Sequence, residues 1–365
     1  MVVYVSPAER NGGILQFSTS IARETRAFRQ CKLFLPSAVD SRLFEDISED
    51  VVTYEKVKTL KKNEKGVCNI AEQIMALSPT VVIFLEDSIL MQQINEILHK
   101  AGISTAIVIH DIQHHPYRNM GVRKIAVDLI RRVMTRKTIK MCTRIVLLSN
   151  NSEKAFRDKY KSTNSIVFRL PAHIPNAQPV IPSELTNDFG DYFLFFGRID
   201  EYKGINRLCL AYSSLPAEIK STKKLVIAGK GTLSDEELGL IKADADIYLL
   251  NRFIEDSEML WLFDNSSAVI MPYIEASQSG VLPIAYKYGK PVVVSNLQGL
   301  TENVSARKTG CIFDTVDELK DILAKFDKSD FSEKEILDFY QKNYSWKGNL
   351  EDLLDVFQTE VSDGS

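Results

Sequence analysis

The sequence predicts an α/β protein built from two doubly wound parallel sheets. Short apolar strands alternate with helix-like segments in both halves of the chain, as expected where helices cover both faces of parallel strands. A motif-poor stretch with four prolines, Leu170 to Asn187, separates the halves and is typical of a linker. The 365 residues suit two domains of about 180 residues better than one core. We expect an N-terminal domain over 1–172, a linker over 173–190, a C-terminal domain over 191–340, and a final helix and tail over 341–365.

The first half contains seven strand candidates, several of which are continuous apolar runs. They are Val2–Ser6, Lys32–Leu35, Val51–Tyr54, Thr80–Leu85, Thr105–His110, Arg144–Leu148 and Ser165–Phe168. The segments between them predict helices over Gln16–Phe28, Asn69–Ala76, Ile89–Lys100, Val122–Met141 and Ser152–Lys159. This repetition indicates one doubly wound sheet.

The pattern restarts after the linker. Predicted strands are Tyr192–Gly197, Lys224–Ala228, Ile247–Leu249, Ala268–Met271 and Pro291–Ser295. Predicted helices are Gly204–Ser214, Asp235–Ala243, Asp256–Asp264, about Leu282 to Tyr288, and Glu351–Phe357 before a frayed tail over Gln358–Ser365. Because ligands of open α/β sheets bind beyond the carboxyl ends of the strands, we expect the site in a cleft between the domains.

Composition excludes several classes of protein. The chain is 45% hydrophobic and 25% charged, which is the balance of a folded protein. No apolar run approaches the roughly 20 residues that span a bilayer, and the N-terminus lacks the pattern of a signal peptide. Five scattered cysteines without a C-x-x-C pair argue against a disulfide framework or zinc ribbon and favour a reducing cytoplasm.

The net charge of −3 divides unevenly along the chain, because residues 1–175 carry +9 and the remainder carries −12. A basic N-terminal half favours an anionic partner such as membrane headgroups or a phosphorylated substrate. Two basic segments, Lys56–Lys62 and Val122–Arg144, are compatible with peripheral contact to an anionic membrane and equally with a solvated helix face. No nucleic-acid-binding module is recognisable, so we expect no nucleic-acid partner.

The stretch from Leu194 to Gly204 is the most informative about function. A strand ends at Gly197, and Arg198 and Lys203 follow, five residues apart, before a helix opens. An arginine fork and a lysine point charge beside the carboxyl end of a strand are suited to hold a diphosphate and to offset the charge that builds up as it leaves. A solvated turn with unrelated charges is the alternative.

Two further loops carry glycines where a strand ends or a helix begins. Gly229 and Gly231 form a Gly-x-Gly turn after a buried strand, which lets backbone approach a ligand but is often only a tight turn. The step Ser279, Gly280, Val281 stands where a helix begins, so its free N–H groups predict an anion site.

Taken in order, these stretches resemble the C-terminal domain of the retaining GT-B glycosyltransferases of bacterial polysaccharide and glycolipid synthesis. The motifs are G-R-x4-K-G, a strand into G-x-G, P-x-x-E, G-K-P-V-V, E-N-V and K-T-G, from Tyr192 to about Gly310. The resemblance implies a GT-B fold: two Rossmann-like domains facing a cleft, with a C-terminal helix that crosses back to the N-terminal domain.

The resemblance also assigns roles. It implies that Arg198 and Lys203 hold the donor diphosphate and that Glu275, the first glutamate of the family's E-x7-E pattern, lies near the donor sugar. The implied donor-binding residues of this domain are Gly229, Gly231, Arg252, Phe253, Ile254, Ser279, Gly280, Val281 and Glu302. The second glutamate is missing, because Pro283 and Ile284 stand where it would lie, so ribose recognition must come from elsewhere.

The N-terminal half carries weaker marks. Gly12 and Gly13 follow the first strand and are implied to lie close to the donor, although a plain β-α turn is the alternative. His110 ends a strand and resembles the family's His-Asp loop beside the transferred sugar, which puts Asp111 and His115 on the acceptor side. The H-D-x-x-x-H spacing could suggest metal ligands, but no further His or Cys cluster completes a site, so we expect no metal.

The resulting hypothesis is an enzyme without cofactor that moves a sugar from a nucleoside-diphosphate sugar, with UDP or GDP as the expected nucleotide, to a glycan or lipid-linked acceptor. Surface polysaccharide synthesis in the cytoplasm or at the inner face of its membrane is the expected setting. The alternatives are a nucleotide-sugar epimerase or phosphorylase on the same fold, and a non-catalytic partner subunit, which the missing glutamate motivates.

Overall fold

The computed structural model describes residues 1–9, 12–57, 64–110, 112, 133, 135–186 and 189–362. The chain divides into two compact units: unit 1 comprises Met1–Arg169 and Trp346–Ser365, and unit 2 comprises Leu170–Ser345. Each unit contains one parallel sheet with helices packed on it, which confirms the predicted α/β class.

The sheet of unit 1 has the strand order β3-β2-β1-β4-β5-β6-β7, and every pairing is parallel. The strands are β1 Val2–Val5, β2 Cys31–Pro36, β3 Val51–Tyr54, β4 Val81–Phe84, β5 Thr105–Ile109, β6 Arg144–Leu147 and β7 Ser165–Val167. The predicted bounds agree with these to within one residue. β1 and β4, for example, are apolar runs in which every residue is buried, as the pattern predicts.

The described helices of unit 1 are Gly13–Thr25, Glu64–Ala76, Ile89–Lys100, Asn150–Tyr160 and Trp346–Ser362, with a 3-10 segment at Ser41–Asp50 and helical residues at 135–141. Most of the predicted basic helix Val122–Met141, and part of the basic segment Lys56–Lys62, lie outside the described residues. The prediction of membrane contact through them stays a prediction.

The C-terminal helix Trp346–Ser362 belongs to unit 1, as the resemblance implied. The Trp346 ring lies 6.3 Å from that of Phe17, and Leu353 and Phe357 are buried. The frayed tail predicted over Gln358–Ser365 is wrong for its first part, because the helix continues to Ser362.

The sheet of unit 2 has the order β10-β9-β8-β11-β12-β13, again all parallel. Its strands are β8 Tyr192–Phe196, β9 Lys224–Ala228, β10 Ile247–Leu250, β11 Ala268–Met271, β12 Val292–Ser295 and β13 Gly310–Phe313. The sequence did not predict β13. The strand order places the carboxyl ends of β8, β9 and β11 side by side at one edge of the sheet.

The helices of unit 2 are Ile205–Ser213, Ala217–Lys220, Asp235–Ala243, Asp256–Asn265, Val281–Lys287, Gln298–Thr301, Val316–Lys325 and Glu333–Tyr344, with 3-10 turns at Glu201–Lys203 and Lys328–Asp330. The predicted linker segment has an irregular backbone and packs onto this unit, since Ala172, Leu185 and Phe189 belong to its buried core. No helix in the described part of the chain is long and apolar enough to cross a membrane.

Candidate functional site

Three loops meet at the edge of unit 2 where β8, β9 and β11 end. Gly197 turns the chain out of β8 with a φ of 122°, a backbone conformation that glycine adopts at little cost. Its N–H donates to the Ala228 carbonyl at 3.0 Å, so the loop after β8 runs beside the loop after β9. The side chain of Arg198 is exposed and that of Lys203 is half-buried.

The Gly-x-Gly turn has a packing role. A Cβ on Gly229 would lie 1.8 Å from the Gly197 carbonyl oxygen, and one on Gly231 would lie 1.8 Å from the Ile199 carbonyl oxygen. No side chain fits at either distance. The two glycines therefore allow the loop that carries Arg198 to lie directly against the loop after β9.

Asn251, which the sequence analysis missed, completes this packing. Its side-chain oxygen accepts from the Gly231 N–H at 3.1 Å, and its side-chain amide donates to the Gly231 carbonyl at 3.3 Å. The Gly229 N–H donates to the Leu250 carbonyl at 3.1 Å. The N–H groups of both glycines thus donate hydrogen bonds within the protein. If the turn contacts a donor as predicted, other backbone atoms of the turn must make that contact.

Lys203 has an unusual environment for a cation. Its Nζ lies 3.6 Å from the centre of the Tyr273 ring and 5.0 Å from that of Tyr202. Burial, and then the nearby Arg198 guanidinium, lower the pKa of Lys203 to about 8, although Asp200 opposes the shift. Among the described residues, neither Arg198 nor Lys203 forms an ion pair. Two neighbouring cations without an ion-pair partner favour an anion, which is what the sequence predicts for this pair.

The loop of Lys203 is fixed to the loop after β11. A Cβ on Gly204 would lie 2.0 Å from the Pro272 carbonyl oxygen, and Gly204 has a φ of 68°. The Ile274 N–H donates to the Tyr202 carbonyl at 2.8 Å. The position of Lys203 over Tyr273 therefore rests on backbone contacts as well as on the side chains.

The loop after β11 carries the predicted phosphate-binding step. The Val281 N–H, which the sequence predicted to be free, donates to Ser279 Oγ at 3.3 Å. The Tyr273 hydroxyl lies 3.3 Å from the same oxygen. Gly280 is exposed and caps the helix Val281–Lys287, which begins one residue before the predicted start. Tyr273 thus brings Lys203 and Ser279 together.

The two predicted glutamates lie on adjoining loops. Glu275 is exposed after Ile274, and Glu302 is half-buried beside Asn303, whose amide donates to it at 3.3 Å. A Cβ on Gly299 would lie 2.5 Å from the carbonyl oxygens of Ala276 and Ser277, so the Glu302 helix packs against the loop of Glu275. Pro283 is buried and Ile284 is half-buried on the helix that follows.

The guanidinium of Arg252 donates all of its N–H groups to hydrogen bonds within unit 2. It makes five hydrogen bonds, to both carboxylate oxygens of Glu184, to both of Glu258 and to the Phe253 carbonyl. The paired arginine lowers the pKa of Glu184 to about 2 and that of Glu258 below its usual range. Arg252 therefore ties the segment before β8 to the loop after β10, while Phe253 is 57% exposed and Ile254 is buried.

Replacing Arg252 with methionine is expected to lower the free energy of unfolding by about 1–2 kcal/mol at pH 7, because Glu258 is left poorly solvated and unpaired. Both glutamates have lowered pKa values in the folded state, so their contribution is present above the unfolded pKa and is lost as pH falls. Urea unfolding should show the difference shrinking from about pH 4.5 to pH 2. The exposed pair Lys334–Asp338 supplies the control, since Lys334→Met should change nothing measurable. A deficit that is independent of pH would contradict this account.

The predicted residues of unit 1 that the structure describes, Gly12, Gly13 and His110, lie at the carboxyl end of its sheet. The His110 Nε2–H donates to the Leu85 carbonyl at 2.9 Å, and the ring meets Phe17 edge-on at 6.1 Å. Gly12 caps the helix Gly13–Thr25, both glycines are exposed, and a Cβ on Gly13 would meet open space. The predicted acceptor-side residues Asp111 and His115 lie outside the described residues. Within the described ranges, no group of three or more His, Cys, Asp or Glu could hold a metal ion.

Residues 190–327 match the family model described as "Glycosyl transferases group 1". This match confirms the family resemblance for the part of the chain that carries the motifs. A curated relative, an uncharacterized glycosyltransferase of Methanocaldococcus jannaschii, is 25% identical over 182 residues, which cover 46% of this chain and 45% of that protein. The match therefore spans about half the length of that relative.

Several solved structures share the whole fold. HepE of Anabaena in complex with UDP has a TM-score of 0.74 and 13% identity, covering 98% of this chain and 99% of that chain. The apo lipopolysaccharide outer core galactosyltransferase WaaB has a TM-score of 0.69, 14% identity and coverage of 98% and 99%. Sucrose-phosphate synthase of Thermosynechococcus elongatus has a TM-score of 0.69, 13% identity and coverage of 100% of both chains. The fold is the predicted GT-B fold.

Proposed function

We propose, on the premise that residues 190–327 form a group 1 glycosyltransferase domain, that this chain transfers a sugar from a nucleoside-diphosphate sugar to a glycan or lipid-linked acceptor. The observation that carries the proposal is the pair Arg198 and Lys203, two cations without an ion-pair partner among the described residues, on a loop packed against the Ser279 loop. The donor belongs to unit 2 and the acceptor to unit 1 in this proposal.

The cationic pair suits the departure of a diphosphate. As the bond from the sugar C1 to the phosphate oxygen breaks, its electron pair goes to the phosphate, and negative charge grows there. The Arg198 fork can hold two phosphate oxygens, and the Lys203 ammonium adds a point charge from a half-buried position where water screens it less. The acceptor hydroxyl attacks C1 on the face from which the diphosphate departs, and its proton passes to a departing phosphate oxygen. We propose retention at C1 and assign no nucleophile, with Glu275 and His110 as residues beside the sugar.

We take UDP as the first nucleotide to test and GDP as the second. HepE, which shares the fold at 13% identity, was crystallised with UDP, and a second structure of it contains UDP-glucose. An acceptor in surface polysaccharide or glycolipid synthesis is supported by the likeness to the lipopolysaccharide galactosyltransferase WaaB. The proposal includes no cofactor.

The affinity for UDP should depend on pH through Lys203. Its pKa of about 8 in the free protein lies below that of ordinary lysine, and a bound diphosphate raises it by favouring the ammonium. Above pH 8 the site must therefore take up a proton to bind, so the Kd should rise by up to about tenfold per pH unit. Calorimetric titrations with UDP from pH 7.5 to 9.5 measure this. Lys203→Arg should flatten the profile, and a flat wild-type profile would count against the assignment.

The function itself is tested by release of the nucleotide. Wild-type protein is incubated with UDP-sugars and GDP-sugars, with and without a membrane extract as the acceptor source, and free nucleotide is measured. We expect one donor to release nucleotide faster when the acceptor is present. Conversion of the donor sugar without acceptor would favour an epimerase, and phosphate-dependent turnover a phosphorylase. The absence of turnover with every donor would favour the non-catalytic partner subunit.

A further inference from the structure

Tyr273 contacts two residues of the candidate site, the cation Lys203 and the hydroxyl-bearing Ser279. It lies two residues after β11 and is fully buried. Its ring centre lies 3.6 Å from Lys203 Nζ, and its hydroxyl lies 3.3 Å from Ser279 Oγ. Lys203 and Ser279 stand on different loops, so this one side chain connects two residues that the sequence assigned separately to the diphosphate.

We propose that Tyr273 is a positioning residue for the donor diphosphate: its ring places the Lys203 ammonium, and its hydroxyl places Ser279. This inference rests on the proposed function and adds to it a residue that acts through two others. Tyr273 itself is buried beneath them and is assigned no contact with the substrate.

An aromatic face is well suited to hold this lysine. The negative face of the ring attracts an ammonium without neutralising it, whereas a carboxylate at that distance would form an ion pair and compete with the diphosphate. Lys203 can therefore be held in one place without an ion-pair partner that would compete with the ligand. Burial also raises the pKa of the Tyr273 phenol, so the hydroxyl stays protonated at any working pH.

The hydroxyl of Tyr273 orders the loop that carries Ser279. Ser279 Oγ receives the Val281 N–H and contacts the phenol, each at 3.3 Å, so its rotamer is set from two sides. A serine fixed in this way aims its lone pairs and proton in a defined direction. Loss of the phenol oxygen should loosen Ser279 and leave Lys203 in place.

Two double-mutant cycles test the contact of Tyr273 with Lys203 and its contact with Ser279 separately. The affinity of each variant for UDP is measured by calorimetry at pH 7.5. Tyr273→Phe keeps the ring and removes the hydroxyl, so it should weaken UDP binding about as much as Ser279→Ala does. The double variant should bind UDP no more weakly than either single variant. Tyr273→Leu removes the ring and should weaken UDP binding by at least about tenfold, since the Lys203 ammonium is no longer held where the diphosphate binds. In a Lys203→Met background, Tyr273→Leu should have a much smaller effect. Additive effects in both cycles would overturn the inference.

Tyr212→Leu is the matched control, because Tyr212 is an equally buried tyrosine at the far end of the helix that Gly204 opens, with its hydroxyl on the Lys223 carbonyl. It should lower stability as Tyr273→Leu does and leave UDP affinity unchanged in the folded protein. Equal losses of affinity in the two variants would reduce Tyr273 to a core residue and overturn the inference. If wild-type protein binds no UDP, the proposed function fails first, which is a different result.

Discussion

Replacing Arg198 and Lys203 together with alanine is expected to weaken UDP binding by about 10²–10⁴-fold, because each charged hydrogen bond to a phosphate contributes about 1.5–3 kcal/mol. The fold should tolerate the change. Arg198 is exposed, neither residue has an ion-pair partner among the described residues, and two neighbouring positive charges are removed. Calorimetric titration gives the Kd, and the nucleotide-release assay gives the loss of turnover.

Lys308 and Lys325 provide the control for net charge. Both are exposed cations of unit 2, outside the three loops of the site. The variant Lys308→Ala with Lys325→Ala removes the same two charges and should bind UDP within about twofold of wild type, as expected for screened surface charges. If both double variants lose affinity equally, the effect belongs to the overall charge of the domain and not to a diphosphate site.

Gly229→Ala is expected to destabilise unit 2 by about 3 kcal/mol or more, since the new Cβ meets backbone that cannot move aside cheaply. The added atom would lie 1.8 Å from the Gly197 carbonyl oxygen, and the backbone at Gly229 has a φ of 149°. Urea unfolding measures the loss. The chain has two tryptophans, Trp261 in unit 2 and Trp346 in unit 1, so fluorescence in a Trp346→Phe background reports on unit 2 alone.

The control is a glycine in an open position. A Cβ on Gly239, in the helix Asp235–Ala243, meets nothing within 4 Å. Gly239→Ala should therefore stabilise the unit by about 0.5–1 kcal/mol through helix propensity. An unfolding midpoint for Gly229→Ala equal to that of wild type would show that the loops after β8 and β9 do not meet as described.

The strands were predictable because each is a short apolar run between clear breaks. β11, for example, lies between Ser267 and Pro272 and has no polar face, which predicts a strand buried on both sides. The first helix was predicted to begin at Gln16 and begins at Gly13, because a Gly-Gly pair reads as a loop in sequence. Helix ends depend on caps that a single sequence shows only weakly.

The contacts of the site that sequence reasoning missed join distant segments of the chain. Arg252 and Glu184 are 68 positions apart in the sequence, and Asn251 and Gly231 are 20 apart. No local sequence pattern therefore predicts either contact. Tyr273 stands inside the P-x-x-E motif, but its closeness to Lys203 arises only when β8 and β11 pair. The Gly-x-Gly turn in sequence is compatible with an approach to a ligand or with a plain tight turn, and its glycines are required by the neighbouring loop.

A crystal structure with UDP tests the central claim most directly. The account predicts density for the diphosphate with its oxygens within about 3.2 Å of the Arg198 guanidinium and the Lys203 ammonium, which are charged hydrogen-bond distances. Lys203 should remain over the Tyr273 ring in that structure. A nucleotide bound in unit 2 whose phosphates contact neither cation would contradict the diphosphate assignment.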